Sequence, residues 1–118
     1  MREPERDPGR LVDMIEAADC IASYTKGFTK EELLADKLRY HAVSRNVEII
    51  GEAAYMLTQE FKNQHTEIPW NDVIGMRHVL VHGYAGILPE ILWDVALNDV
   101  AKLKQQIQVI LKSMEVQG

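Results

Sequence analysis

The stretch that decides the fold is DKLRYHAVSRNVEIIGEAAYMLTQEF, residues 36–61 of a chain of 118 residues. Asp36 is a favoured helix N-cap residue, and apolar residues then recur every three or four positions toward Phe61. This spacing predicts one long amphipathic helix with a single buried stripe. The stripe consists of Leu38, Val43, Val47, Ile50, Ala54 and Leu57.

The segment before this helix is also predicted to be helical. Asp7 and Pro8 predict a helix start, with Asp7 as the N-cap and Pro8 at the first helical position. Apolar residues at helical spacing then continue until Gly27. Thr29 and Glu32 match a capping box, which predicts a short extra helix before the long one.

The segment after the long helix gives the remaining elements. A polar loop is expected over residues 63–69, a helix from about Trp70 to Gly83, and a last helix that Pro89 opens. No segment alternates with period two, so strands are not expected. We therefore predict one all-α domain over residues 1–118, an antiparallel four-helix bundle with a short extra helix.

The amino-acid composition limits the binding partners and the cellular compartment that we expect for the chain. Thirteen basic and eighteen acidic residues give a net charge of −5, which argues against broad, non-specific nucleic-acid binding but leaves room for a local basic cleft. Cys20 is the single cysteine, so no internal disulfide can form, and its apolar neighbours indicate a buried thiol in a reducing compartment. The charged, Pro-containing N-terminus and the absence of a membrane-length apolar run predict a cytoplasmic chain that does not enter a membrane.

The candidate catalytic residues lie close together in the stretch GMRHVLVHGY, residues 75–84. Arginine suits phosphate and histidine moves protons near neutral pH, so this stretch carries what a metal-free ribonuclease site needs. With Arg77 as zero on a helical wheel, His78 falls at about 100° and His82 at about 140°. Ile74 and Val81 lie on the same side, at about 60° and about 40°. Val73, Met76 and Leu80 fall between about 260° and 320° and are predicted to face the core. Aliphatic residues beside these polar ones indicate a covered face, most simply a two-fold homodimer.

Three blocks of sequence in order give this chain a specific resemblance. The signature Arg-x4-His-x-Tyr, here Arg77…His82-Gly83-Tyr84, is that of the HEPN superfamily. The blocks RNVEIIGEA (residues 45–53), IPW (68–70) and GMR (75–77) make the chain similar to the HepT family of bacterial and archaeal toxins. The matches span roughly residues 36 to 95.

The resemblance implies an all-α homodimer in which the motif helices of two chains form a composite cleft. It implies the toxin of a type VII HEPN/MNT toxin–antitoxin system, a metal-independent endoribonuclease acting on RNA. The implied partner is a minimal nucleotidyltransferase antitoxin, which can form a higher complex with the dimer. In that family the antitoxin attaches AMP to the motif tyrosine, here Tyr84.

Arg77 and His82 are the candidate catalytic residues. His82 would act as general acid/base in cleavage through the 2′-hydroxyl of RNA, and Arg77 would bind the scissile phosphate. The alternative for His82 is a histidine that the helix dipole favours at a C-terminus. The alternative for Arg77 is an ion pair with Asp72, Glu48 or Glu52, which could coexist with function.

Four further residues are candidates for a supporting role in the catalytic site. His78 follows the motif arginine, at a position where the family more often has asparagine or aspartate. Glu52 lies among apolar residues, which predicts a buried carboxylate that needs a partner. We predict that this partner is the motif arginine. Arg45 and Asn46 would extend the phosphate-binding surface, although Arg45 could equally be a solvated helix residue. His78 and His82 have the spacing of a helical metal pair, but no Cys or His cluster completes a site, so neither metal nor cofactor is expected.

Two expectations concern the remaining residues and the rival function. The aromatic residues Trp70, Trp93, Tyr40 and Tyr55 are predicted to belong to the core rather than to stack on a ligand. The rival to a ribonuclease is a non-catalytic helical homodimer that binds nucleotide or the nucleotidyltransferase. The negative net charge favours that rival, since RNA would have to be attracted by a local cleft.

Overall fold

The computed structural model describes the backbone of residues 3–82 and 93–117 and the side chains of residues 3–76 and 93–115. Within these ranges the chain is helical and contains no strand, as predicted. The α-helices are α1 (Asp7–Thr25), α2 (Lys30–Ala35), α3 (Lys37–Met56), α4 (Gln59–Gln64), α5 (Trp70–His82) and α6 (Val100–Gln117). A 3-10 turn (Pro4–Arg6) precedes α1, and a π-helical segment (Val95–Asp99) runs into α6.

The four long helices α1, α3, α5 and α6 surround one apolar core. α3 packs along α1 and against α5, while α6 packs on α1 and the short α2 rests on α3. The fully buried side chains come from every one of these elements and from the loop before α5, so the core is continuous through the bundle. The largest of them are Leu11, Met14, Ile21, Leu33, Val43, Val47, Ile50, Leu57, Ile68, Val73 and Ile107.

Local capping accounts for the boundaries between α1 and α3, as the sequence predicts. Gly27 has a φ of 79°, a left-handed conformation that glycine adopts at little cost, and it lies just after the end of α1. The backbone N–H of Glu32 donates to Thr29 Oγ1 at 3.1 Å, and Thr29 N–H donates to Glu32 Oε1 at 2.9 Å. Asp36 Oδ1 accepts from the N–H of Arg39 at 3.1 Å. The predicted N-caps at Thr29 and Asp36 are thus confirmed.

The long central helix ends earlier than predicted. α3 stops at Met56, and both Leu57 and Thr58 are extended, with ψ of 147° and 149°. Thr58 Oγ1 accepts from the N–H of Phe61 at 3.2 Å and so starts the separate helix α4. A threonine hydroxyl that caps a new helix offers the backbone an alternative to continuing the old one. The expected single helix toward Phe61 is therefore wrong.

Asp7 is not the N-cap of α1. The 3-10 turn over Pro4–Arg6 continues directly into α1, so Asp7 already has helical dihedral angles. Its carboxylate is buried and accepts from the N–H of Thr58 at 3.0 Å and from Thr58 Oγ1 at 2.6 Å. The residue thus ties the start of α1 to the junction of α3 and α4.

Two other burial predictions are wrong. Leu38, assigned to the buried stripe of α3, is 83% exposed, because the first turn of α3 projects one side away from its neighbours. Cys20 is half-buried rather than buried. Gly83, Gly86 and Pro89, which the sequence places in the following loop and at the start of the last helix, lie outside the described residues. No helix in the described residues is long and apolar enough to cross a membrane.

Candidate active site

Helix α5 carries the motif residues, and its first turn is firmly anchored. Trp70 is 7% exposed, and its Nε1–H donates to the carbonyl oxygen of His65 at 2.9 Å. Its ring meets that of Phe61 edge-on, with centroids 5.9 Å apart. Val73, one turn on, is fully buried. The helix therefore projects from a rigid base toward the positions of Arg77 and His82.

In the part of α5 whose side chains are described, the buried and the more exposed residues lie on the sides that the helical wheel predicts. Val73 and Met76 occupy the core side, with Val73 buried and Met76 packed against the core. Ile74, on the Arg77 side of the wheel, is half-buried. The backbone places positions 77 and 82 about 7.5 Å apart along the axis at the end of the helix.

The candidate catalytic side chains lie beyond the described part. The backbones of Arg77, His78 and His82 belong to α5, whereas their side chains are outside the described residues. Tyr84, the expected AMP acceptor, lies outside them entirely. The roles of all four residues stay predictions.

The candidate supports on α3 form a charged row. Arg45 Nη1 lies 2.9 Å from Glu48 Oε1 and 3.7 Å from Glu52 Oε1. The side chain of Glu52 is 44% exposed, so it is not the buried carboxylate that the sequence suggested, and Arg45 is one of its partners. Its predicted pairing with Arg77 stays a prediction, because the Arg77 side chain lies outside the described residues. Partly exposed pairs of this kind stabilise a fold little, but they hold the guanidinium in place.

Asn46 is held by its own helix. Its Nδ2 donates to the carbonyl oxygen of Ala42 at 2.9 Å, and the residue is half-buried. Arg45 is shared by two carboxylates, which lowers the local positive charge that a phosphate would meet. These contacts involve Nη1 of Arg45 and Nδ2 of Asn46, and the part of the two residues in phosphate binding stays a prediction.

The prediction that all four aromatic residues belong to the core is wrong for one of them. Trp70 is buried, and Tyr40 and Trp93 pack against the core, as predicted. Tyr55 is instead 44% exposed at the end of α3. It borders an open groove of about 490 Å³ that α4 and the start of α5 complete. The early end of α3, which the sequence pattern did not indicate, leaves this ring uncovered.

No group of three or more His, Cys, Asp or Glu side chains that could hold a metal ion occurs among the described residues. Glu48 and Glu52 of α3 instead take part in ion-pair chemistry, in their row with Arg45.

Comparison with known proteins defines the class. The family model described as Ribonuclease HepT-like matches residues 14–110, which is most of the chain. The chain therefore belongs to the HepT-like ribonuclease family. The match covers all of α3 and α5, more than half of α1 and of α6, and the whole Arg77–Tyr84 motif.

Several relatives have similar lengths. A protein of Thermococcus cleftensis named "Probable ribonuclease HepT" is 37% identical over 102 residues, which cover 86% of this chain and 93% of that one. A candidate RNase of Methanocaldococcus jannaschii is 33% identical over 100 residues, or 85% of this chain and 92% of that one. A candidate RNase of Caldanaerobacter subterraneus subsp. tengcongensis is 32% identical over 102 residues, covering 86% and 91%. No solved structure gives a significant match.

Proposed function

We propose that this protein is a metal-independent endoribonuclease that acts as the toxin of a toxin–antitoxin pair. The observation that carries the proposal is the placement of Arg77 and His82 on the last turns of α5, in a chain of the HepT-like ribonuclease family. The names of the relatives, which include a ribonuclease HepT and candidate RNases, support RNA as the substrate. The first turn of α5, on the same helix as the two positions, is anchored by buried Trp70.

The reaction follows from the two side chains. His82 would accept the proton of a 2′-hydroxyl, whose oxygen then attacks the adjacent phosphorus and displaces the 5′-oxygen of the next nucleotide. A protonated histidine, supplied by a second motif or by His82 after proton exchange, would protonate that leaving oxygen. Arg77 would stabilise the negative charge that builds up on the phosphoryl oxygens in the transition state. The products are a 2′,3′-cyclic phosphate and a 5′-hydroxyl.

A two-fold homodimer would bring two motifs together. The outward side of α3 supports this assembly, because it carries Leu38 (83% exposed) and Met56 (39% exposed) at its two ends and the charged row at Arg45 between them. Exposed aliphatic residues that flank a row of both charge signs suit a self-complementary surface.

Control by a nucleotidyltransferase is the last element of the proposal. Tyr84 lies two residues beyond His82, so an AMP group on its hydroxyl would bring a phosphate close to the catalytic positions. That phosphate could take up the donors of Arg77 and exclude RNA. The modified chain would then be inactive while the fold stays intact.

Two substitutions with matched controls test the catalytic assignment. His82→Ala and Arg77→Ala should each lower the cleavage rate at least about a hundredfold, the usual scale for a lost acid/base or oxyanion partner. His41→Ala removes an exposed histidine of α3, and Arg6→Ala removes an exposed arginine of the first turn, so both should cleave like the parent chain.

The outcome separates the two candidate functions. Cleavage that persists in folded His82→Ala or Arg77→Ala would refute the assignment of the site. A wild-type chain that binds nucleotide or the nucleotidyltransferase but never cleaves RNA would be the non-catalytic homodimer.

A further inference from the structure

A second feature of the molecule, apart from the motif itself, has the form of a ligand site. The groove beside Tyr55 has a volume of about 490 Å³, within the usual range for small-molecule pockets. Its walls are the end of α3, one side of α4, the first turns of α5 and the loop that joins α4 to α5. Buried Ile68 and Trp70 form its apolar part.

The side chains that line the groove are rich in hydrogen-bonding groups. Gln59, Asn63 and Asn71 contribute three primary amides, each with both donors and acceptors. Gln59 Nε2 donates to Asn63 Oδ1 at 3.0 Å, which fixes the orientation of both amides. Amides of this kind can read the edge of a nucleobase.

The charge of the groove differs from that of the protein as a whole. The chain carries a net charge of −5, yet the described residues that line the groove include Lys62 and no carboxylate. Lys62 is 7% exposed, and its Nζ donates to the carbonyl oxygen of Ala54 at 3.4 Å near the end of α3. Lys62 therefore brings an amino group to the wall of the groove, a group that suits an anionic ligand.

The aromatic component is Tyr55. Its exposed fraction of 44% is high for a large aromatic residue next to a core, and it leaves part of the ring open to the groove. Nucleobases stack on such rings whatever their sequence. Ile74, half-buried on the opposite wall, adds apolar surface.

The groove and the motif share one side of α5. On the wheel centred on Arg77, Asn71 falls at about 120° and Ile74 at about 60°, between the angles of Arg77 and His82. Ile74 precedes Arg77 by less than one turn, about 4.5 Å along the axis. An RNA strand bound at the positions of Arg77 and His82 would therefore reach the groove along the same face of α5.

We propose that this groove is a nucleotide subsite, which takes the base of an unpaired RNA nucleotide next to the cleaved bond. Tyr55 stacks on the base, the amides of Asn63 and Asn71 contact its edge, and Lys62 attracts the adjoining phosphate. The inference rests on the proposed ribonuclease function, since it assigns the groove to the same substrate. It predicts that the protein selects single-stranded over paired RNA, because a paired base cannot enter the groove.

The test is a binding measurement that does not depend on cleavage. The probe is a short, fluorescent single-stranded RNA with 2′-O-methyl riboses, which lack the attacking hydroxyl, and binding is followed by anisotropy. Tyr55→Ala should weaken binding roughly tenfold, the scale of one lost stacking contact, whereas Tyr55→Phe keeps the ring and should bind like the parent. Light scattering on each variant checks that its assembly is that of the parent chain.

A second pair of variants changes charge without threatening the fold. Asn71→Asp places a carboxylate in the first turn of α5, where the helix dipole favours it, so stability should hold while RNA binding weakens at low salt by about threefold or more. Gln108→Glu makes the same change of charge at an exposed position of α6, and it should leave binding unchanged.

Each result bears on a different statement. If the wild-type chain cleaves RNA while Tyr55→Ala and Asn71→Asp bind and cleave like it, the subsite is refuted and the ribonuclease function stands. If the wild type binds RNA through Tyr55 and Asn71 but never cleaves natural RNA, the subsite stands and the ribonuclease function is refuted. A wild type that does not bind the probe refutes the subsite, and cleavage of natural RNA then decides the ribonuclease function separately.

Discussion

The buried bridge between Asp7 and Thr58 allows a quantitative prediction for the variant Thr58→Val. The change removes the hydroxyl that donates to Asp7 Oδ2 at 2.6 Å and accepts from the N–H of Phe61 at 3.2 Å, while the backbone bond from Thr58 N–H to Asp7 remains. A hydrogen bond to a charged group contributes about 1.5–3 kcal/mol, and a lost N-cap costs about 1 kcal/mol. The free energy of unfolding should therefore fall by about 3 kcal/mol. For a chain of this length that corresponds to a Tm lower by roughly 10 °C.

The assay is urea or thermal unfolding at one fixed protein concentration, because an oligomer's Tm depends on concentration. Thr58→Ser retains the hydroxyl and should lose no more than about 1 kcal/mol. Combining Thr58→Val with Asp7→Ala should be less destabilising than the sum of the two, by about 1–2 kcal/mol, since both remove the same contact. Strict additivity, or a loss in Thr58→Val below about 0.5 kcal/mol, would show that the bridge does not hold the two segments together.

Three further predictions concern function. Cleavage should survive EDTA and leave 2′,3′-cyclic phosphate ends, so loss of activity on chelation, or 3′-hydroxyl products, would exclude the proposed chemistry. Light scattering should find a dimer at micromolar concentration, and a monomer there would contradict the two-fold assembly. Co-expression with a cognate nucleotidyltransferase should add one or more AMP units to Tyr84, while Tyr84→Phe should escape modification and stay toxic, unless the hydroxyl itself binds RNA. An adduct on another residue, or an unmodified chain in fully protected cells, would favour simple masking by the antitoxin.

Features that depend on neighbours in sequence were predictable. The caps at Thr29 and Asp36 and the stop at Gly27 each involve residues within one helical turn, so the local sequence determines them. The same holds for the helical class, which follows from periodicity, and for the core side of α5 at Val73.

Features that depend on distant residues were not predictable. Asp7 finds its partner 51 residues away, and nothing in its own surroundings distinguishes that role from an N-cap. The exposure of Tyr55 follows from the break at Thr58, which turns α4 away from the line of α3. Glu52 looked buried from its apolar neighbours, yet its position on the helix directs it toward Arg45. For the candidate site, the helical wheel predicted which residues of α5 share a face. The groove forms where α3, α4 and α5 meet, and the wheel of one helix cannot predict such a meeting.

The π-helical segment at Val95–Asp99 has a consequence for how the gene can vary. The N–H of Val100 donates to the carbonyl oxygen of Val95, five residues back, so the segment accommodates one residue more than an α-helix of the same length. Deleting one residue there, for example exposed Asn98, would restore α-helical pairing and leave Trp93 and Asp94 in nearly the same angular position relative to α6. A codon lost at this point would therefore leave the core contacts on both sides of the segment in place, whereas a codon lost elsewhere in α6 would rotate one side by about 100° against the other.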